Sequence, residues 1–216
     1  MSLSGNFENP ANPAACRNYG ASKARGSHLL FLDDDDECHL DFIQSCVSHL
    51  KNFPEHSFLL AEHLEIRTYS SQGDHQSALV DTTSPVSVLG DTFPPFLKFG
   101  MGCGFVLSRE FFRELGGFDV EYSYCEDTEL LLRIHFQGMV PYPIPGQGII
   151  VHRHLETRRT GDMNTCNRVF ELEKLVRSMD SSLQKSPAFH SHLLQHLDKL
   201  RSRCSRVDQF SFEGHN

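Results

Sequence analysis

The apolar run Leu29-Leu30-Phe31-Leu32 stops against four consecutive aspartates, Asp33 to Asp36. A short apolar run bounded by Gly26 and Asp33 reads as a buried strand of a parallel sheet. Four adjacent carboxylates repel one another unless a cation sits among them. A strand with that ending suits an open α/β sheet, where ligands bind beyond the carboxyl ends of strands.

The flanking pattern alternates in the same way. Ala14–Arg25 suits a short helix closed by Gly26. Residues 40–52 set Leu40, Ile43, Val47 and Leu50 three or four apart, the apolar face of a helix ended by Pro54. Phe58 opens a strand that runs on to Tyr69, and residues 70–96 read as a long loop with one short strand. Met101–Leu107 is a strand preceded by glycines, and Arg109–Leu115 is a helix stopped by Gly116-Gly117. Thr128–Gln137 is a helix. Residues 139–151 hold prolines and glycines before the strand Ile149–Val151, and helices are expected over 164–179 and 189–204. Strands alternating with helices predict an α/β layer architecture.

Composition narrows the function classes. At 216 residues the chain suffices for one core-bearing domain, or for one domain and a helical appendage, but not comfortably for two. Lys plus Arg number 20 against 28 Asp plus Glu, a net charge of -8, which argues against a nucleic-acid partner. Seven cysteines with no CxxC pair argue against a disulfide framework or zinc ribbon, and for buried reduced thiols in a cytosolic protein. No apolar run approaches the roughly 20 residues of a transmembrane helix.

Several positions carry chemistry, each with two readings. The Asp33–Asp36 cluster suits Mg²⁺ or Mn²⁺, hard cations that bridge phosphate oxygens, or it is an acidic loop that caps the next helix. Glu126-Asp127 opens a helix: Asp127 is either a general base facing a site or an N-cap. His152 and His154, two apart on a strand, share a face and could meet one metal, or be structural. Arg17 could hold a phosphate through two parallel hydrogen bonds, or lie on a helix surface. Gly100 to Gly104 either admit a ligand close to the backbone or mark a turn.

Their order in the chain is more specific. The series Arg17-Asn18-x-Gly20, Phe31-Leu32-Asp33-Asp34-Asp35-Asp36, Gly116-Gly117-Phe118-Asp119 and Glu126-Asp127-x-x-Leu130 with Arg133 and Gly138 resembles the family 2 glycosyltransferases of GT-A fold. The resemblance runs from about residue 14 to residue 155. It implies an α/β, GT-A-like mixed sheet flanked by helices over 14–160; residues 161–212 lie outside the resemblance and read from their own pattern as a C-terminal helical extension. It also implies an enzyme that moves a sugar, with inversion, from a nucleotide-diphosphate donor to the hydroxyl of a carbohydrate or lipid-linked acceptor. Asp33 and Asp35 match the metal-holding Asp-x-Asp motif, with Mn²⁺ or Mg²⁺ as cofactor, and His152 matches a later metal ligand with His154 as its fallback. Asp127 matches the catalytic base. Arg17, Asn18, Asp33, Gly102, Cys103 and Glu126 fall on the substrate side. The implied setting is the cytoplasm or the periphery of a membrane.

One part of the family pattern has no counterpart here. Members usually begin with a βαβ half of roughly a hundred residues that binds the nucleobase, and nothing like it precedes Arg17. The expectation is therefore a fold short of its first strands, with an open sheet edge that a second copy or a partner covers. The alternative function is a non-catalytic or partial GT-A-fold protein that has lost donor binding. A metal hydrolase unrelated to sugars would explain the aspartates and histidines, but not Gly-Gly-Phe-Asp or the Glu-Asp helix.

Overall fold

The computed structural model describes residues 12–70, 72–88, 90–94, 96–99, 104–154 and 164–213. Helix α1 (Pro13–Lys23) leads into β1 (His28–Leu30), and β2 (Glu37–Cys38) follows the aspartates. Helix α2 (Leu40–Asn52) precedes the long strand β3 (Phe58–Tyr69), then β4 (His75–Asp81), β5 (Val86–Val88) and β6 (Asp91–Phe93). The chain continues through α3 (Phe96–Phe99), β7 (Phe105–Ser108), α4 (Arg109–Glu114), α5 (Glu126–Phe136) and β8 (Tyr142–His154). Three helices close it: α6 (Thr165–Ser178), α7 (Asp180–Leu183) and α8 (Pro187–Glu213).

The main sheet has the order β1-β7-β3-β8-β2, with β4 also paired to β3. Strand β3 runs parallel to β8 and antiparallel to β7 and β4. The result is a mixed α/β sheet of the GT-A-like kind, with the acidic segment at the carboxyl end of β1. Leu59, Leu60, Phe105, Leu107, Leu130, Leu132 and Ile144 form its buried centre, and Leu172, Leu175, Leu183 and Phe189 of the last three helices join the same core.

Four expectations change. The run Leu29–Leu32 does not lie in a parallel arrangement with its neighbour: β1 is three residues long, pairs antiparallel with β7, and leaves Leu32 exposed. Residues 70–96 hold β4 and a β5–β6 hairpin where a long loop was expected. Strand β4 is mostly exposed, so it lacks the alternation that marks a half-buried strand. Strand β8 begins at Tyr142 despite Pro143 and Pro145. Its first residues pair with β3 alone, because β2 reaches only Ile149 and Ile150, so proline costs no second ladder bond there. In α2 the buried residues are Phe42 and Cys46, while Leu40, Ile43 and Val47 are exposed.

Gly148 explains that last shift. A Cβ at Gly148 would lie 2.0 Å from the Cβ of Ala61 and 3.4 Å from the Phe42 ring, so its missing side chain lets β8, β3 and α2 meet. Gly148→Ala is expected to destabilise the protein by about 1–3 kcal/mol, because the strands must part to admit one methyl group. The midpoint of urea unfolding measures it; an unchanged midpoint would mean the contact relaxes without cost.

The cysteines also depart from expectation. Cys46 and Cys125 are buried free thiols, but Cys166 of α6 and Cys204 of α8 form a disulfide with their Cα atoms 5.1 Å apart. They are 38 residues apart, and only the packing of the two helices brings them together. No helix among the described residues is long and apolar enough to cross a membrane.

Candidate functional site

Phe31 anchors the acidic segment. Its ring sits 5.4, 5.2 and 5.1 Å from those of Phe105, Phe112 and Phe118, and its carbonyl accepts the Gly104 N–H at 3.1 Å. Beyond this fixed point the chain turns, with the Asp36 N–H donating to the Asp33 carbonyl at 3.2 Å. The turn gathers carboxylate oxygens of Asp33, Asp35 and Asp36 within 4.8 Å of one another. Three oxygen donors on one exposed turn fit a hard divalent cation such as Mg²⁺ or Mn²⁺.

Helix α1 ties this turn to the rest of the site. Asn12 caps α1 through the Ala15 N–H at 3.0 Å, and Pro13 fills its first position, where no N–H is needed. Arg17 then spans two carboxylates: Nη2 donates to Asp33 Oδ1 at 2.6 Å and Nη1 to Glu126 Oε1 at 2.7 Å. Its neighbour Asn18 donates to the Phe118 carbonyl at 2.8 Å and accepts the Phe118 N–H at 2.9 Å. Gly117, at φ +75°, gives Asn18 room, because a Cβ there would meet Asn18 Oδ1 at 2.6 Å.

From the other side Arg133 of α5 donates to the Gly117 carbonyl at 2.6 Å and grips buried Glu129 at 2.6 and 2.7 Å. The four motifs that stand apart in the sequence are thus one hydrogen-bonded unit.

Glu126 and Asp127 open α5. The helix begins at Glu126, so Asp127 lies inside the first turn and is not its N-cap; Cys125 holds that position without a side-chain cap bond. Asp127 Oδ1 accepts the Thr128 N–H at 2.6 Å and the Thr128 hydroxyl at 3.2 Å. Loss of water around the carboxyl, followed by the negative charge of Glu126, pushes Asp127 up to about 7, against the opposing pull of the Thr128 N–H and Arg17. A carboxylate titrating there exchanges a proton readily at neutral pH.

His152 is held by three contacts. Its N–H donates to Asp36 Oδ1 at 3.0 Å; Nδ1 bonds the Tyr69 hydroxyl at 2.7 Å and Nε2 bonds Glu37 Oε1 at 3.1 Å. The backbone of His152 therefore reaches the acidic turn, while the ring faces Tyr69 and Glu37. Gly102 and Cys103 lie outside the described residues, as does the side chain of His154.

Sequence reasoning counted Glu37 with the acidic cluster but passed over Tyr69 and Glu171. Tyr69 and His152 meet because β3 and β8 are parallel in a register that pairs Arg67 with His152. No spacing within either segment signals that.

Comparison with known proteins bears on these residues together. A family model described as glycosyltransferase like family 2 matches residues 3–146. Comparison with curated proteins finds no match. Among solved structures the chain is similar to S. aureus TarS 1-349 in complex with UDP, at 15% identity and a TM-score of 0.46, over 68% of this chain and 42% of that one. It is also similar to S. aureus TarS 1-349, at 13% identity and a TM-score of 0.49, over 91% of this chain and 52% of that one. The chain spans about half or less of the length of these structures.

Proposed function

The chain belongs to the glycosyltransferase like family 2, and on that premise we propose that it transfers a sugar from a nucleoside-diphosphate donor to an acceptor hydroxyl with inversion at the anomeric carbon. One observation carries the reading. The Asp33, Asp35 and Asp36 carboxylates converge, and Arg17 links Asp33 to Glu126, the neighbour of Asp127.

Asp127 is the general base. As the acceptor oxygen forms its bond to the anomeric carbon, the hydroxyl proton passes to an Asp127 carboxylate oxygen. The bond from that carbon to the diphosphate breaks, and the nucleoside diphosphate departs with the electron pair. Asp33, Asp35 and Asp36 would hold a divalent cation that offsets charge on the departing diphosphate. Asn18 supports the Phe118 backbone, and Arg17 keeps Asp33 and Glu126 in fixed directions. Gly102 and Cys103 are proposed to lie beside the donor sugar and the acceptor, a carbohydrate or a lipid-linked one.

The ring of His152 is proposed to support the cation by turning from Tyr69 and Glu37 toward the acidic turn; its bond to Asp36 comes from the backbone N–H, which alanine keeps. His152→Ala should weaken Mn²⁺ binding roughly tenfold, the lower end of what outer partners of a metal site contribute. Equal affinity for the variant in calorimetric titration would remove the His152 ring from the site.

Titration calorimetry with UDP, GDP and their sugars, with and without Mn²⁺, tests the whole reading. The expected result is nucleotide binding that requires Mn²⁺ and is lost in Asp35→Asn. Failure of every nucleotide to bind at millimolar concentration would overturn it, in favour of a GT-A-fold protein without donor binding.

A further inference from the structure

Helix α5 starts without a cap of its own, yet three N–H groups just before it are satisfied. The acceptor is Glu171, on α6 and outside the matched family segment. Its Oε2 accepts the N–H groups of Tyr124 at 2.7 Å, Ser123 at 3.0 Å and Cys125 at 3.1 Å, and its Oε1 accepts Ser123 again at 2.8 Å. The residue is buried, and these three amides lie immediately before Glu126-Asp127. A carboxylate at this end also complements the positive pole of an 11-residue helix.

Other contacts from α6 grip the same turn. The Tyr122 hydroxyl lies 3.3 Å from Ser178 Oγ, and Lys174 Nζ donates to the Glu121 carbonyl at 3.2 Å while resting 4.6 Å from the centre of the Tyr122 ring. The Tyr124 hydroxyl donates to Asn164 Oδ1 at 3.1 Å. Helix α6 is in turn fastened to α8 by the Cys166–Cys204 disulfide and by Arg201, whose Nη2 lies 2.8 Å from Glu173. The turn that presents the base therefore rests on a braced pair of helices.

We propose that Glu171 is a positioning residue for transfer: by holding the Ser123, Tyr124 and Cys125 N–H groups on one carboxylate, it sets the direction in which Asp127 meets the acceptor hydroxyl. This rests on the reading of Asp127 as the base. Glu171 touches no reacting atom and acts only through the turn. Alanine at 171 frees three amides and allows the first turn of α5 to tilt. Glutamine offers one carbonyl oxygen and turns an N–H₂ group toward the remaining amide hydrogens, so it restores part of the hold.

The test compares Glu171→Ala, Glu171→Gln and the control Glu110→Gln, an exposed carboxylate on α4, using UDP- or GDP-linked sugars with Mn²⁺. In Glu171→Ala, kcat should fall roughly a hundredfold, the cost of misplacing a reacting group by about 1 Å, while donor KM stays within about twofold. Glu171→Gln should lie between, and Glu110→Gln should match the parent. In an Asp127→Asn background, Glu171→Ala should cost nothing further. Independently of turnover, amide exchange at Ser123–Cys125 should quicken and the ¹³C carboxyl resonance of Asp127 should move in Glu171→Ala, less in Glu171→Gln and not in the control.

A full rate in Glu171→Ala, an equal loss in the Asp127→Asn background, or an unmoved Asp127 resonance would each overturn the proposal. A full rate in Asp127→Asn would instead overturn the base assignment beneath it.

Discussion

Asp127→Asn is expected to lower sugar transfer by roughly 10²–10⁴-fold, the range for losing a positioned general base, with nucleotide binding nearly intact. Asparagine keeps the size of the side chain and an oxygen that can accept the Thr128 N–H, so the start of α5 should survive. What it removes is the proton acceptor. The pH profile carries a second signature. With the carboxyl raised to about 7, kcat/KM of the parent should climb between about pH 6 and 8 as the base ionises.

Stability should move the opposite way. The unfolded aspartate releases its proton near pH 4, whereas the folded one keeps it until about 7. Across that window the native state binds more protons than the unfolded state, so rising pH costs stability. The amide of the Asp127→Asn variant cannot ionise, and that variant should gain on the parent between about pH 5 and pH 8. The gain is on the order of 1–2 kcal/mol once solvent screening at a half-buried residue is allowed for. Urea unfolding at the two pH values reads it. A variant that is weaker at both, with transfer reduced only in proportion, would assign Asp127 to the helix start and not to chemistry.

Arg17→Met should be the most disruptive change in the site. Glu126 keeps 9% of its side chain exposed and Arg17 keeps 17%, so removing the guanidinium leaves a nearly buried carboxylate without its cation. Breaking such a pair costs about 3 kcal/mol, the lower end for buried pairs because Asp33 can still turn to water. Glu126→Gln should recover part of the loss in the double variant, because the amide leaves no uncompensated charge. Arg17 also pulls the Asp127 titration downward, so its removal should shift the rise in kcat/KM to higher pH. Arg17→Lys should rescue little, since one ammonium does not span two carboxylates. Unfolding free energies within about 0.5 kcal/mol of the parent would show that the bridge contributes no more than a surface pair does.

Much of the site was legible because its motifs are local. The acidic turn, the Gly116-Gly117 stop and the Glu-Asp start of α5 each announce themselves within a few residues. The helix faces and strand limits were less legible. The three-and-four spacing of Leu40, Ile43 and Val47 is genuine, yet the helix turns Phe42 inward to fill the space above Gly148. Strand β8 begins among prolines, because an edge without a second neighbour tolerates them.

By itself the sequence determined the α/β layering, the family, and the residue types that meet at the carboxyl end of β1. These follow from periodicity and from short motifs, which need only neighbours in the chain. Tertiary structure alone decided the antiparallel pairing of β1, the bridge of Arg17 between Asp33 and Glu126, and the union of Cys166 with Cys204. It also decided that Glu171 would hold the turn before Asp127. Each joins groups at least 16 residues apart and up to 109. A carboxylate carries no local mark of which distant amides or cation it will meet. Only the packing of helices and strands, settled over the whole core, selects that partner.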